Sequence, residues 1–496
     1  MLTENAYGDT SLSYWPRVRE FAVPPSMIST ATARRLAGDW AGACAAAGVD
    51  VDLNLRSVAR VHGQELAAQL RADLRHLAPD LLRWHLPRIA PDGLLRPGLT
   101  ISLARYDAPG RAGSHPVHLV VRTAPAWADA GQRISLTLWD GSHTDTGARR
   151  AAHPHPNRRF RLDLHRHLWD ARRTDELRTR SGADRPPGGD RPEPPAADLL
   201  ARSPQGRRCA VDRWAAEARL LLDADGWSTG AGAGTGATSG SDVGSGSGPG
   251  TNADTVTVRL GGRQRLLLGL VGAPDGSGSS VLRITEAPAG GGASALPVLP
   301  DAATWVLPDL ELIRTGAIEL DRLHPLVASA LEPDRPSAGP PRNPARAGEP
   351  RLVECRGARH RIGLVDGVLA PLDHDPAEIR REELLAELTG TPLPCLQAID
   401  EAHRHPDCLT GVRERLDHGD IAGALAVVEG LLGPDAVLRG GALRDELQSA
   451  AERRVTYGLF RAGLIGPGPG PGFDGYRSDG GRTRDHRSRP RQATFR

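Results

Sequence analysis

Leu99-Thr-Ile-Ser-Leu-Ala-Arg-Tyr106, Val117-His-Leu-Val-Val-Arg-Thr123 and Arg133-Ile-Ser-Leu-Thr-Leu-Trp139 are three alternating segments separated by turns rich in Gly, Pro and Ala. Alternation of apolar and polar residues is the mark of a strand with one buried face. Three such runs in close succession predict an antiparallel meander half-covered by helices.

The helices lie upstream. Ser29 to Ala47 reads as one helix stopped by Gly48, followed by a short strand over Val49-Asp-Val-Asp-Leu-Asn-Leu55. In Gln64–Leu77, Leu66, Leu70, Leu74 and Leu77 share one face, the spacing of an amphipathic helix. Pro79 interrupts it, and Leu81–Leu86 adds a further turn. Downstream, Arg159–Leu164 predicts another strand, leading into a helix around Trp169–Leu177.

Further out, composition divides the chain. Of 496 residues, 58 are Gly and 41 are Pro, and they concentrate in a few tracts. Residues 1–26 read as an irregular extension, and Met27 stands just before the first helix, where a shorter chain would begin. Residues 27–177 form an α+β domain, 178–207 a Pro- and Arg-rich linker, and 208–331 a β-rich second unit with a Gly-rich disordered insert at 226–252. Within that unit Val211–Leu222 is a helix, Thr255–Leu260 and Arg263–Val271 form a hairpin about Gly261-Gly262, and Val281–Glu286 is a third strand. A helix is expected from Asp321. Residues 332–350 are a second Pro-rich linker. Residues 351–465 hold a small β segment (Leu352–Arg356, His360–Val365, Gly367–Leu372) and then helices, the first opened by Asp375-Pro376-Ala377-Glu378. Residues 466–496 are a disordered Arg-rich tail. The fold class expected is therefore α+β, with N-terminal helices on an antiparallel sheet, a β-rich middle unit, a mainly helical C-terminal domain and disordered linkers.

Gly419–Leu432 resembles half of a tetratricopeptide-type helical hairpin. The likeness spans one motif and no 34-residue period accompanies it, so no repeat array is inferred.

Every one of the 62 Lys+Arg residues is arginine. Such usage accompanies a GC-rich bacterial genome. Its chemical consequence is the loss of P-loop, kinase and Schiff-base chemistry that needs a lysine. A net charge of +2 exerts no global pull on nucleic acid or anionic lipid. Five cysteines without a regular framework fit a reducing compartment, and no apolar run approaches membrane-spanning length, so a cytoplasmic protein is expected.

Several groups of residues have the chemistry of a site. Cys395, His403, His405 and Cys408 are the densest set of metal ligands, but Cys395 and His403 stand roughly 12 Å apart along a helix. Two buried thiols beside solvent-facing histidines is the favoured reading. His165 and His167, with His153 and His155 nearby, would share one strand face, read as polar and arginine-bearing. Asp373-His374-Asp375 matches a metal-dependent phosphohydrolase by one dipeptide, and Asp375 is already needed as a helix cap. No Gly-x-Ser-x-Gly, His-Glu-x-x-His or Ser-x-x-Lys pattern is present. The expectation is therefore an interaction or adaptor protein with a protein partner, without catalytic, cofactor or metal residues. A metal-dependent hydrolase built on the His/Asp clusters, and a nucleic-acid contact through the arginine tail, are the alternatives.

Overall fold

The computed structural model describes residues 14–107, 116–129, 131–141, 155–185, 207–227, 254–261, 264–272, 280–287, 296–333, 351–355, 358–365, 368–389, 394–396, 409–432 and 441–466. Residues 228–252 of the Gly-rich insert, 186–206 and 334–350 of the two expected linkers, 467–496 of the tail, and His153, His403, His405 and Cys408 lie outside them, whereas residues 178–185 and Arg207 of the first expected linker are described and 178–181 are helical. The fold is mixed α+β, with small, mainly antiparallel sheets and C-terminal helices.

The chain enters through helical turns at Trp15–Ala22, where an irregular extension was expected. Their apolar side chains account for this: Trp15, Val18 and Ala22 belong to the largest core. The single helix expected at 29–47 is two, α1 (Pro25–Leu36) and α2 (Trp40–Ala46). Gly38 takes a positive φ of 79° and Asp39 caps α2 by accepting from the Gly42 amide at 2.8 Å. Strand β1 covers only Val49–Val51. Asn54 then caps α3 (Leu55–His62), accepting from the Arg56 and Ser57 amides, and so ends the extended run early. Helices α4 (Gln64–His76) and α5 (Pro79–His85) follow as the leucine spacing predicts.

After a two-stranded ladder of β2 (Arg88–Ile89) and β3 (Leu94–Leu95), the meander forms β4 (Thr100–Tyr106), β5 (Val117–Thr123) and β6 (Ile134–Trp139). Its neighbours pair antiparallel, and β1 adds to β6 in parallel, so the sheet is mixed with order β1-β6-β5-β4. Consecutive residues Thr100 to Ala104 are all buried, so both faces are covered where one was expected to be open. Ile101, Leu103, Val121 and Leu136 pack with Leu70 and Leu74 of α4 and Leu81 and Trp84 of α5 in one core. Residues 157–162 run along the edge of β4, the Leu162 amide donating to the Ser102 carbonyl at 2.7 Å, without forming the expected strand. Beyond them come a 3-10 turn at Arg166–Leu168 and α6 (Glu176–Ser181), in place of a helix over 169–177.

In the second unit α7 (Val211–Ala224) packs on the antiparallel sheet β7 (Thr255–Gly261), β8 (Gln264–Gly272) and β9 (Ser280–Glu286). Gly261, expected in the hairpin turn, instead ends β7 and pairs with Gln264. Trp305 closes this second core, and the chain then returns to the first through α8 (Pro308–Arg314) and α9 (Pro325–Leu331). The three-stranded sheet β10 (Arg351–Cys355), β11 (Ala358–Val365), β12 (Val368–Pro371) precedes α10 (Pro376–Thr389), which Asp375 caps through the Ala377 amide. Helices α11 (Leu409–His418), α12 (Ile421–Leu432) and α13 (Ala442–Ala462) share a small core of Val412, Leu416, Ala424, Val428 and Leu443.

These last helices dock on the first body through polar contacts. Arg83, 1% exposed, donates to the carbonyls of Ala22, Gln132 and His418 and binds three stretches of chain at once. Arg17 pairs with Glu414 at 2.9 Å and the Tyr457 hydroxyl donates to Asp50 at 2.5 Å. Among the described residues no helix is long and apolar enough to cross a membrane.

Candidate functional site

Where the two larger cores meet, the structure leaves a cavity of about 130 Å³. Its walls come from Tyr14 and Trp15, from His85 to Arg88 at the end of α5, from the 159–168 stretch, from α6, from the approach to α7, and from 301–308. Junctions between packed bodies are where ligand cavities usually form. Seven lining residues are arginines and one, Asp301, is a carboxylate.

Three of these guanidiniums are committed elsewhere. Arg159 grips Asp301 with two hydrogen bonds of 2.6 and 3.2 Å, and Arg180 grips Glu217 with bonds of 2.6 and 2.7 Å. Arg19 lies between the rings of Trp15 and Trp84, 4.7 and 4.3 Å from their centroids, and pairs with Asp309 at 2.7 Å. Such planar, forked contacts hold a guanidinium rigidly.

The other four, Arg88, Arg96, Arg207 and Arg213, make no ion pair among the described residues. Arg88 donates to the Gly93 and Arg83 carbonyls, and its Nε–H is buried without a partner. Arg207 rests over the Trp305 ring at 4.3 Å and Arg96 over Phe160 at 5.4 Å, holding both cations in place. Burial lowers the pKa of all four arginines, most strongly that of Arg88, which also faces Arg83 and Arg19. Desolvation is the first cause in each case, opposed by Asp301 at Arg96, by Asp301 and Glu311 at Arg207, and by Asp212 and Glu217 at Arg213.

Two histidines join them. His85 directs Nδ1 to the Leu81 and Leu168 carbonyls at 3.0 and 3.2 Å, so that nitrogen has the proton, and Nε2 has no partner. Burial pulls its pKa down to about 4. His167 is 4% exposed with Nδ1 unpartnered, and its neighbour His165, 2% exposed, accepts from Arg180 at 3.1 Å. The expectation of a polar, arginine-bearing strand face at 165 and 167 is therefore corrected: the 3-10 turn folds both imidazoles inward, neutral. Desolvation first and the nearby cations second hold both well below the ordinary histidine range.

The sequence-derived metal candidates fall elsewhere. Cys395 is fully buried and its Sγ lies 3.5 Å from His374 Nε2, while the His374 ring stacks on His360 at 4.0 Å. Asp373 accepts from the Arg361 amide and guanidinium, and that pairing pulls its carboxyl down to about 2. Among the described residues no group of three or more His, Cys, Asp or Glu is arranged to hold a metal ion.

The arginine cavity was not read from the sequence. Its seven cations come from five separate stretches of a chain in which arginine is everywhere. The one available signal was arginine beside an aromatic residue, as in Trp15-Pro-Arg-Val-Arg19 and Arg159-Phe160. Comparison with known proteins found no matching family model, curated protein or solved structure.

Proposed function

We propose that this chain is a non-catalytic cytosolic binding protein that holds a small anion in the cavity between its two larger cores. The observation that supports this reading is the set of four cavity arginines that form no ion pair among the described residues. Buried positive charge without a directly paired carboxylate is costly, and a counter-charge arriving from solution relieves it. Arginines bind rather than transfer protons, because they stay charged, and the cavity carboxylate Asp301 is already held by Arg159. Ser181 donates its hydroxyl to the Arg178 carbonyl and so lacks an activating base.

The adaptor role belongs to the same proposal. Val455 and Leu459, four residues apart on α13, are 63% and 36% exposed, a surface of the kind a protein partner covers.

Thermal denaturation in a panel of anions at fixed ionic strength tests the ligand reading. An anion at a hundredfold its Kd should add about 2.7 kcal/mol of stability, with a midpoint that climbs as concentration rises. If every anion matches the chloride control, the reading is wrong.

A further inference from the structure

We infer that His360, His374 and Cys395 are ligands of a zinc ion that fastens the small sheet β10–β12 to the chain that follows it. This site lies apart from the arginine cavity and is independent of the anion-binding reading.

The fold brings the three residues together from different elements. His360 comes from β11, His374 from the turn between β12 and α10, and Cys395 from the helical turn at 394–396. Cys395 Sγ lies 3.5 Å from His374 Nε2. Zinc bonds of about 2.3 Å to sulfur and about 2.0 Å to nitrogen, opened at the tetrahedral angle, set two such ligands about 3.5 Å apart. Both groups are shielded from water, Cys395 at 0% exposure and the His374 side chain at 5%.

The His374 imidazole is also oriented for a metal. Its Nδ1 faces Glu378 Oε2 at 3.8 Å, one turn along at the start of α10. A carboxylate there favours the proton on Nδ1 and leaves the lone pair on Nε2, the nitrogen beside the sulfur. Metal-bound histidines are held by their second nitrogen in this way.

His360 supplies the third donor. Its ring stacks on that of His374 at 4.0 Å and 15°, and its Nδ1 is buried without a partner. In the structure this ring lies flat on its neighbour, and among the described residues no three donors surround one point. A rotation of the His360 side chain closes the set. The β10–β11 register sets Val353 opposite His360, and Cys395 packs against Val353. Strand alternation puts Cys355 on that same face of β10, the position for a fourth ligand.

The donor chemistry selects the ion, since thiolate with imidazole suits zinc and not the oxygen-seeking magnesium or calcium. The packing gives the ion a purpose. Among the described residues the apolar cluster here is Cys395 with only Val353 and Leu396 against it. A sheet with so little apolar cover gains its stability from a staple.

The test adds zinc alone to the full chain after stripping with a chelator, with cobalt as the spectroscopic substitute. One zinc per chain should bind, more tightly as pH rises, because the ion displaces the Cys395 proton. Cobalt should show a thiolate charge-transfer band and the strong visible bands of a tetrahedral site, and Cys395→Ser should weaken the first. Glu378→Gln, at a side chain 43% exposed, should leave the chain folded and lower zinc affinity about tenfold to a hundredfold. His374→Gln should lower it further. Absence of stoichiometric zinc on the unaltered chain, a cobalt spectrum without a thiolate band, or unchanged affinity in the Glu378 and His374 variants would overturn the inference. Each of these failures would leave the anion-binding reading untouched.

Discussion

Replacing Asp309 by alanine offers the sharpest test of how the first body is held together. Asp309 and Arg19 are 0% and 1% exposed at their side chains, 2.7 Å apart, and 290 residues apart in sequence. The second carboxylate oxygen accepts from Trp84 Nε1 at 3.0 Å, and Arg19 also donates to the Trp84 carbonyl at 2.7 Å. Truncation leaves a buried guanidinium without its counter-charge, a loss of about 3–5 kcal/mol. The orphaned Trp84 donor falls within that figure rather than adding to it, since both effects share one cavity. Arg19→Met combined with Asp309→Leu should be far milder than Asp309→Ala, because an apolar pair removes both charges together. Urea unfolding followed by tryptophan fluorescence reads this directly, as Trp15 and Trp84 flank Arg19. A coupling energy of at least ~2 kcal/mol between the two positions is expected. An Asp309→Ala cost below about 1 kcal/mol, or strict additivity, would refute the reasoning. A chain starting at Met27 would lack Arg19 together with the buried Trp15, Val18 and Ala22, and should be destabilised more than the single variant.

Acid should unfold the protein early. His85 and His418 are depressed to about 4 and about 3, each by burial, with Arg88, Arg83 and Arg17 pressing further on His418. Below about pH 6.5 the unfolded chain takes up protons that these imidazoles refuse in the fold, so stability is full above that pH and falls toward pH 4 by about 1.4 kcal/mol per pH unit for each histidine. Urea midpoints at pH 7 and pH 5 measure it, and His418→Phe should flatten the slope. Gly419→Ala should loosen the C-terminal helices: φ is +88° and a Cβ would meet the Gly131 carbonyl oxygen at 2.0 Å, a cost of at least ~2 kcal/mol. Limited proteolysis should then cut between α10 and α11 faster than in the unaltered chain, and equal rates would contradict the docking described.

The meander was legible because β-branched alternation in 99–139 reports a property local to each strand. Helix α4 was legible for the same reason, its leucines falling on one face. What alternation does not encode is the second cover of the sheet, since burial of Thr100 and Ser102 depends on a loop and helices distant in sequence. The breaks at Gly38-Asp39 and Asn54 were misread because a short capping side chain outweighs a continuing apolar pattern over three or four residues. His165 and His167 were assigned to a strand, yet the Trp169 indole, donating to the Leu162 carbonyl, folds that stretch into a compact turn. The cavity stayed hidden because convergence of Arg88, Arg207 and Arg213 is a tertiary event. In a chain without lysine, each arginine looks like ordinary surface charge.

Crystals of the full chain exposed to tungstate, a tetrahedral dianion rich in electrons, measure the central claim most directly. The strongest anomalous peak should lie inside the cavity, within hydrogen-bond reach of Arg207 or Arg213. Peaks confined to arginines on the outer surface, with only water in the cavity, would contradict the account.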